Sequence, residues 1–161
     1  MKHFVFDVDD TLLYHRNNVN YQWIYEDSEL TYYLNQIKSP KHIFSNGNAR
    51  HVKDILTSMK IKDKFSLIVS RENFGFKPHV NVFQKMNQAI VTYNSSISQS
   101  FELPQIIFFD DRLENLQIAK IFQWKTVWIH PQALEYIGYS YVDYGFQNIK
   151  QALQELTKTE I

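Results

Sequence analysis

Two carboxylate clusters stand at comparable places in the sequence. Asp7-Val8-Asp9-Asp10-Thr11 follows the apolar run Phe4-Val5-Phe6, and Asp110-Asp111-Arg112 follows Ile106-Ile107-Phe108-Phe109. Brought to one point, Asp7, Asp110 and Asp111 would repel one another, which raises pKa values and costs stability unless a cation neutralises them. Oxygen ligands with no His or Cys beside them select a hard divalent ion, and Mg²⁺ with retained waters suits phosphate chemistry. Such an ion can hold a phosphoryl oxygen and let an anionic carboxylate approach an anionic substrate. Two further motifs follow apolar runs. Ser45-Asn46-Gly47 comes after His42-Ile43-Phe44, and Gly75-Phe76-Lys77-Pro78 lies a short loop beyond Ser66-Leu67-Ile68-Val69. They add a hydroxyl and an ammonium.

Each motif taken singly has a plainer reading. Asp110 and Asp111 are placed to cap a helix beginning near Leu113. Ser-Asn-Gly is a common turn, and Lys77 before Pro78 reads as a solvated lysine at a helix start. His3, His15, His42, His51, His79 and His130 show no paired ligand spacing, so they read as surface or core residues, although His79 could face the site. Trp23, Trp124 and Trp128 read as packing residues.

The elements that must position these groups follow from the apolar runs. Phe4–Phe6, His42–Phe44, Ser66–Val69, Ile106–Phe109 and Thr126–Ile129 are short and rich in β-branched and aromatic residues, which predicts buried strands. Helices are predicted between them, over Asp27–Ile37, Ala49–Met59, His79–Tyr93 and Leu113–Phe122, with a last one from Gln147 to Leu156. The alternation predicts an α/β domain with a mainly parallel sheet, in which chemistry collects at the carboxyl ends of the strands. Leu12–Glu26 reads as a small flap. Asn94–Leu103, with Ser95, Ser96, Ser98 and Ser100, reads as a solvated connector.

Composition bounds the remaining choices. The 161 residues fit one domain, 1–161, and the balance of 17 Lys plus Arg against 17 Asp plus Glu disfavours a nucleic-acid partner held by charge. There is no Cys, which excludes thiolate metal sites and cysteine nucleophiles. The first carboxylate comes too early for a secretory hydrophobic region, and no run approaches the roughly 18 apolar residues needed to cross a bilayer. The expectation is a cytoplasmic protein without a membrane partner.

The ordered motifs Asp7-Val8-Asp9-Asp10-Thr11-Leu12, Ser45-Asn46-Gly47, Lys77-Pro78 and Asp110-Asp111 resemble those of the haloacid dehalogenase (HAD) superfamily, over nearly the whole chain. The text around Phe44–Gly47, Gly75–Pro78 and Phe108–Asn115 is similar to pyrimidine 5'-nucleotidase-like members. The resemblance implies a three-layer, Rossmann-like α/β core and a Mg²⁺-dependent phosphatase. In such a phosphatase Asp7 forms an aspartyl-phosphate, while Asp9 protonates the leaving oxygen and then activates water. Asp9 is also the residue that dehalogenases of the superfamily lack.

By the same resemblance Ser45 and Lys77 bind the phosphoryl oxygens, with Asp10 and the backbone of Asn46 and Gly47 beside the substrate. The metal falls to Asp7, the Asp9 main-chain carbonyl, Asp111 and, directly or through water, Asp110. Asn115 orients a ligand from behind. The intervals Thr11–Ser45 and Gly47–Lys77 are too short for a cap domain, so the expectation is a capless or nearly capless core. Its open cleft admits bulky phosphate esters, or takes a lid from a second subunit. Nucleotides and bulkier phosphorylated molecules are the substrate classes this leaves, although the nucleotidases themselves carry a substantial cap. Tyr14, His15, Arg16, Tyr21 and Trp23 are candidates to rest a base or sugar in the flap. A phosphomutase, or a regulatory module that keeps the fold, are the alternatives.

Overall fold

The computed structural model describes residues 1–14, 24–98, 102–135 and 138–158. Strands β1 (Lys2–Phe6), β2 (Lys41–Phe44), β3 (Leu67–Val69), β4 (Gln105–Asp110), β5 (Lys125–Ile129) and β6 (Tyr144–Phe146) form one sheet in the order β3-β2-β1-β4-β5-β6. Every neighbouring pair is parallel. The helices are α1 (Ser28–Gln36), α2 (Ala49–Ser58), α3 (Arg71–Phe74), α4 (Val80–Ile97), α5 (Leu113–Ile121) and α6 (Ile149–Lys158). Among the described residues no helix is long and apolar enough to cross a membrane.

Strand alternation divides the core in two. Phe4 and Phe6 of β1, with Ile107 and Phe109 of β4, face a cluster completed by Leu30 and Leu34 of α1, Val52 and Ile55 of α2, and Leu153 of α6. Val5 and Phe108 point to the other face and meet Phe83 and Met86 of α4 and Leu116 of α5. Both faces of the sheet are therefore covered, which is why the strands read as continuous apolar runs. The sheet order reverses between β1 and β4. Phe6 pairs with Phe109, and the Asp7 amide donates to the Phe109 carbonyl at 2.9 Å. Asp7 and Asp110 thus emerge side by side at the crevice where open α/β sheets bind ligands.

Two expectations need correction. β6 was not expected, because Tyr144-Gly145-Phe146 is a half-buried edge strand interrupted by glycine and forms no apolar run. The connector beginning at Asn94 is instead the end of α4, which runs to Ile97. Its serines do not break the helix, since Ser95 Oγ donates to the Val91 carbonyl at 3.0 Å and Ser96 Oγ to that of Tyr93 at 2.7 Å. Asn94 is buried, with its Oδ1 3.1 Å from His3 Nε2, and His3 Nδ1 lies 2.9 Å from His42 Nε2. Burial pushes His42 down to about 3 and lowers His3, so both are neutral core residues.

Candidate active site

The chain leaves β1 in a tight turn. Thr11 and Leu13 both donate backbone N–H groups to the Val8 carbonyl, at 3.3 and 3.0 Å, and Asp10 N–H donates to the Leu13 carbonyl at 2.7 Å. Val8 and Leu12 are buried in the core and anchor this turn. Asp10 carries its one positive φ, 59°, a conformation that Asp tolerates better than most residues. Asp10, which the resemblance sets beside the substrate, takes the left-handed position of the turn. Thr11 Oγ1 donates to Asp7 Oδ2 at 3.3 Å, so the turn also steadies the carboxylate ahead of it.

Lys77 sits at the centre of the site and is almost wholly buried. Its Nζ donates to Asp7 Oδ1 at 2.9 Å and to Asp110 Oδ2 at 2.7 Å, and lies 5.1 and 5.3 Å from the ring centroids of Phe44 and Phe108. Asn46 places it. Asn46 Nδ2 donates to the Lys77 carbonyl at 3.0 Å, and Lys77 N–H donates to Asn46 Oδ1 at 2.7 Å. The side chain of Asn46 therefore ties the loop after β2 to the one before α4, a task beyond the backbone role that the resemblance implies. Gly47 N–H donates to Ser45 Oγ at 3.0 Å, which engages that amide and leaves the Ser45 hydroxyl proton to donate elsewhere.

Asp110, the last residue of β4, is fully buried and crowded with donors. Besides Lys77, it accepts from Arg112 N–H at 2.9 Å and from Asn115 Nδ2 at 2.9 and 3.0 Å, one contact to each oxygen. The cap of α5 is Arg112, without a side-chain hydrogen bond, so the plain capping reading of Asp110 and Asp111 does not hold. Asp111 is more open, and its carbonyl is pinned by the Trp128 indole N–H at 2.8 Å. Trp128 thus positions a site residue as well as packing.

Carboxylate oxygens of Asp7, Asp110 and Asp111 lie within 4.8 Å of one another. Burial pushes Asp7 up to about 7, with Lys77 pulling against it and Asp110 adding to it. Burial, then Asp110 and Asp7, push Asp111 up to about 8. Burial would lower Lys77, but Asp110 and Asp7 outweigh it and hold the ammonium above its ordinary value. Three carboxylates against one ammonium are short of positive charge, and an all-oxygen donor set is what Mg²⁺ prefers. Asn115 Oδ1 is also buried with no donor among the described residues, an acceptor suited to a metal-held water. The residues present fit a divalent cation held by Asp7 and Asp111, with Asp110 beside them.

This arrangement sets a sign for pH. Asp7 and Asp111 ordinarily titrate near 3.8 and are raised to about 7 and about 8 in the folded chain. They bind protons more tightly folded than unfolded, so their stabilising contribution is present at low pH and lost as pH rises through that window. In EDTA the melting temperature is expected to be lower at about pH 8.5 than at about pH 6, and Mg²⁺, which must displace protons, should raise it more at the higher pH. Thermal melts with and without Mg²⁺ check this; a Mg²⁺ shift equal at both values contradicts it.

Asp9 makes a contact of its own: its oxygens lie 2.9 and 3.0 Å from His51 Nε2 on α2. His51 was read as a surface or core residue, and no spacing signals its role, since the contact joins two remote segments. The structure places His79 at the N-cap of α4 without a capping bond. Of the flap candidates, Tyr14 is exposed, while His15, Arg16, Tyr21 and Trp23 lie outside the described residues. Among the described residues, the interval from β1 to β2 holds only α1, and that from β2 to β3 only α2 and a 3₁₀ turn at Lys62–Lys64.

No protein-family model matches the sequence, and no curated protein does. Solved structures do. YfnB from Bacillus subtilis, assigned as a HAD-hydrolase and bound to magnesium, superposes with a TM-score of 0.62 at 15% identity, over 81% of this chain and 55% of that one. The chain has the fold of the HAD-like hydrolases. L-2-haloacid dehalogenase from Xanthobacter autotrophicus gives a TM-score of 0.59 at 12% identity, over 83% of this chain and 61% of that one. A haloacid dehalogenase-like hydrolase, SP0104 from Streptococcus pneumoniae, gives 0.55 at 15%, over 81% and 59%. The chain thus spans between 55% and 61% of these HAD-fold proteins.

Proposed function

We propose that this chain is a Mg²⁺-dependent phosphomonoesterase that works through an aspartyl-phosphate on Asp7. The observation that carries the reading is Lys77, buried between Asp7 and Asp110 with Asp111 half-buried beside them. In the first step an Asp7 oxygen attacks phosphorus as the bond to the ester oxygen breaks, and Asp9 gives that oxygen its proton. In the second, a water loses a proton to Asp9 and attacks the same phosphorus, which releases phosphate and restores Asp7. Lys77 and the Ser45 hydroxyl stabilise the equatorial oxygens, where charge gathers. Mg²⁺ would neutralise the carboxylates so that an anionic substrate can approach.

The names of the neighbours raise dehalogenation as the other reading. A nucleophilic Asp and a buried Lys serve that chemistry too, but the further carboxylates Asp110 and Asp111 would repel a departing halide unless a cation stood with them. With a phosphate ester the same carboxylates would serve, since they would hold the Mg²⁺ that offsets the charge of the phosphoryl group. The described residues hold no large cap, which supports testing bulky phosphate esters beside small ones. Nucleotides, sugar phosphates, phosphopeptides and 3'-phosphorylated DNA are the substrate panel to screen.

The test is hydrolysis of p-nitrophenyl phosphate beside chloride release from 2-chloropropionate. The expected result is phosphate release that EDTA abolishes and Mg²⁺ restores, with no chloride. Chloride release that ignores EDTA, without phosphatase activity, overturns the reading.

A further inference from the structure

We infer that His51 is a positioning residue for Asp9, holding its carboxyl where it can act as acid and then as base. This rests on the proposed phosphatase reading and assigns a task within it. Three observations converge. Asn48, the N-cap of α2, accepts the His51 backbone N–H on its Oδ1 at 2.8 Å, which fixes the start of the side chain in the first helical turn. The His51 ring then lies over the turn after β2. A Cβ built on Gly47 would stand 2.7 Å from His51 Cδ2, closer than real atoms approach, so a residue with no side chain is what lets the ring lie there. From that place Nε2 reaches both Asp9 oxygens, at 2.9 and 3.0 Å.

The isolated bridge between Asp9 and Leu13 fixes the Asp9 backbone, but the Asp9 side chain is 34% exposed, against 10% for Asp7. A carboxyl that gives up a proton in one half-reaction and takes one in the next must stay within hydrogen-bond reach of the reacting oxygen in both. An Nε2–H tautomer suits this, because it donates to the carboxylate, and equally to the carbonyl oxygen of the protonated acid, leaving the acid O–H for the ester oxygen. A single half-buried hydrogen-bonded contact of this kind contributes modestly to stability. The Gly47 clearance and the two-oxygen contact are better explained by the geometry of Asp9 than by stability.

The experiment compares kcat/KM for p-nitrophenyl phosphate, whose leaving group needs no proton, with that for a simple alkyl phosphate, whose leaving group does. In His51→Ala the alkyl ester is expected to lose about 10- to 100-fold, a part of the full effect of general acid catalysis, while the nitrophenyl ester loses about two- to threefold. The ratio of the two is measured within one protein, so partial misfolding does not move it. His51→Gln, which places an N–H near the same point, should restore most of the ratio. In an Asp9→Asn background, His51→Ala should change the ratio no further. Equal losses on both esters, no rescue by Gln, or a further loss in the Asp9→Asn background overturns the inference alone. A wild-type chain that hydrolyses neither ester removes the proposed function, and this inference with it.

Discussion

Asp7→Asn is expected to lower phosphate release by about a thousandfold or more, the scale seen when a covalent nucleophile is removed. The amide keeps the shape of the side chain and can still lie beside Lys77 Nζ and Thr11 Oγ1, so the loss would come from chemistry and not from collapse of the site. Stability should move oppositely. Burial and the neighbouring Asp110 make the Asp7 anion unfavourable in the folded chain, as its rise to about 7 shows. A neutral residue removes that repulsion, and the variant should melt in EDTA at or above the wild-type temperature at about pH 8, where Asp7 is otherwise charged. Kinetics on p-nitrophenyl phosphate and a thermal melt on the same preparation check both halves. Residual activity within tenfold of wild type contradicts the assignment of the nucleophile, and a large fall in melting temperature contradicts the electrostatic account.

Lys77→Met makes the complementary case. Methionine keeps much of the length that packs on Phe44 and Phe108, but removes the ammonium that Asp7 and Asp110 share. Breaking a buried ion pair from one side leaves uncompensated charge, at a cost of about 3 to 5 kcal/mol. For a chain of this size that corresponds to a melting temperature lower by about 10 °C. Two conditions should restore part of it: acid, which protonates Asp7 and Asp111, and Mg²⁺, which replaces the lost positive charge. Activity should stay low even with Mg²⁺ at saturation, because the equatorial phosphoryl oxygens lose their donor. Chemical denaturation at two pH values, with and without Mg²⁺, measures the effect. A loss below about 1 kcal/mol would place Lys77 among solvated lysines, as its motif read alone suggested.

The fold was legible where burial dominated. The runs ending at Phe6, Phe44, Val69, Phe109 and Ile129 are strands because both faces of the sheet are covered, and covered strands are apolar throughout. The same logic failed for β6, an edge strand with little to bury. It failed again at Asn94–Ile97, where local hydrogen bonds and a buried Asn–His contact override the usual meaning of a serine-rich stretch. Within the site, the convergence of Asp7, Asp110 and Asp111 was readable, since they stand at the ends of neighbouring parallel strands where the sheet order reverses, and Lys77 comes in on the loop beyond β3 and α3. Contacts that depend on side-chain direction were not readable. The Asn46 side chain could as well have faced solvent as clasped Lys77, and nothing in the spacing of His51 tells that its ring reaches Asp9 across a glycine.

The most direct measurement is a crystal structure of the protein grown with Mg²⁺ and beryllofluoride, which mimics a phosphoryl group on a carboxylate. The account predicts beryllium bonded to an Asp7 oxygen, with Lys77 Nζ and Ser45 Oγ in hydrogen-bond contact with the fluorides and Mg²⁺ ligated by Asp7 and Asp111. Mg²⁺ bound away from these carboxylates, or a fluoride complex on any residue other than Asp7, would contradict it.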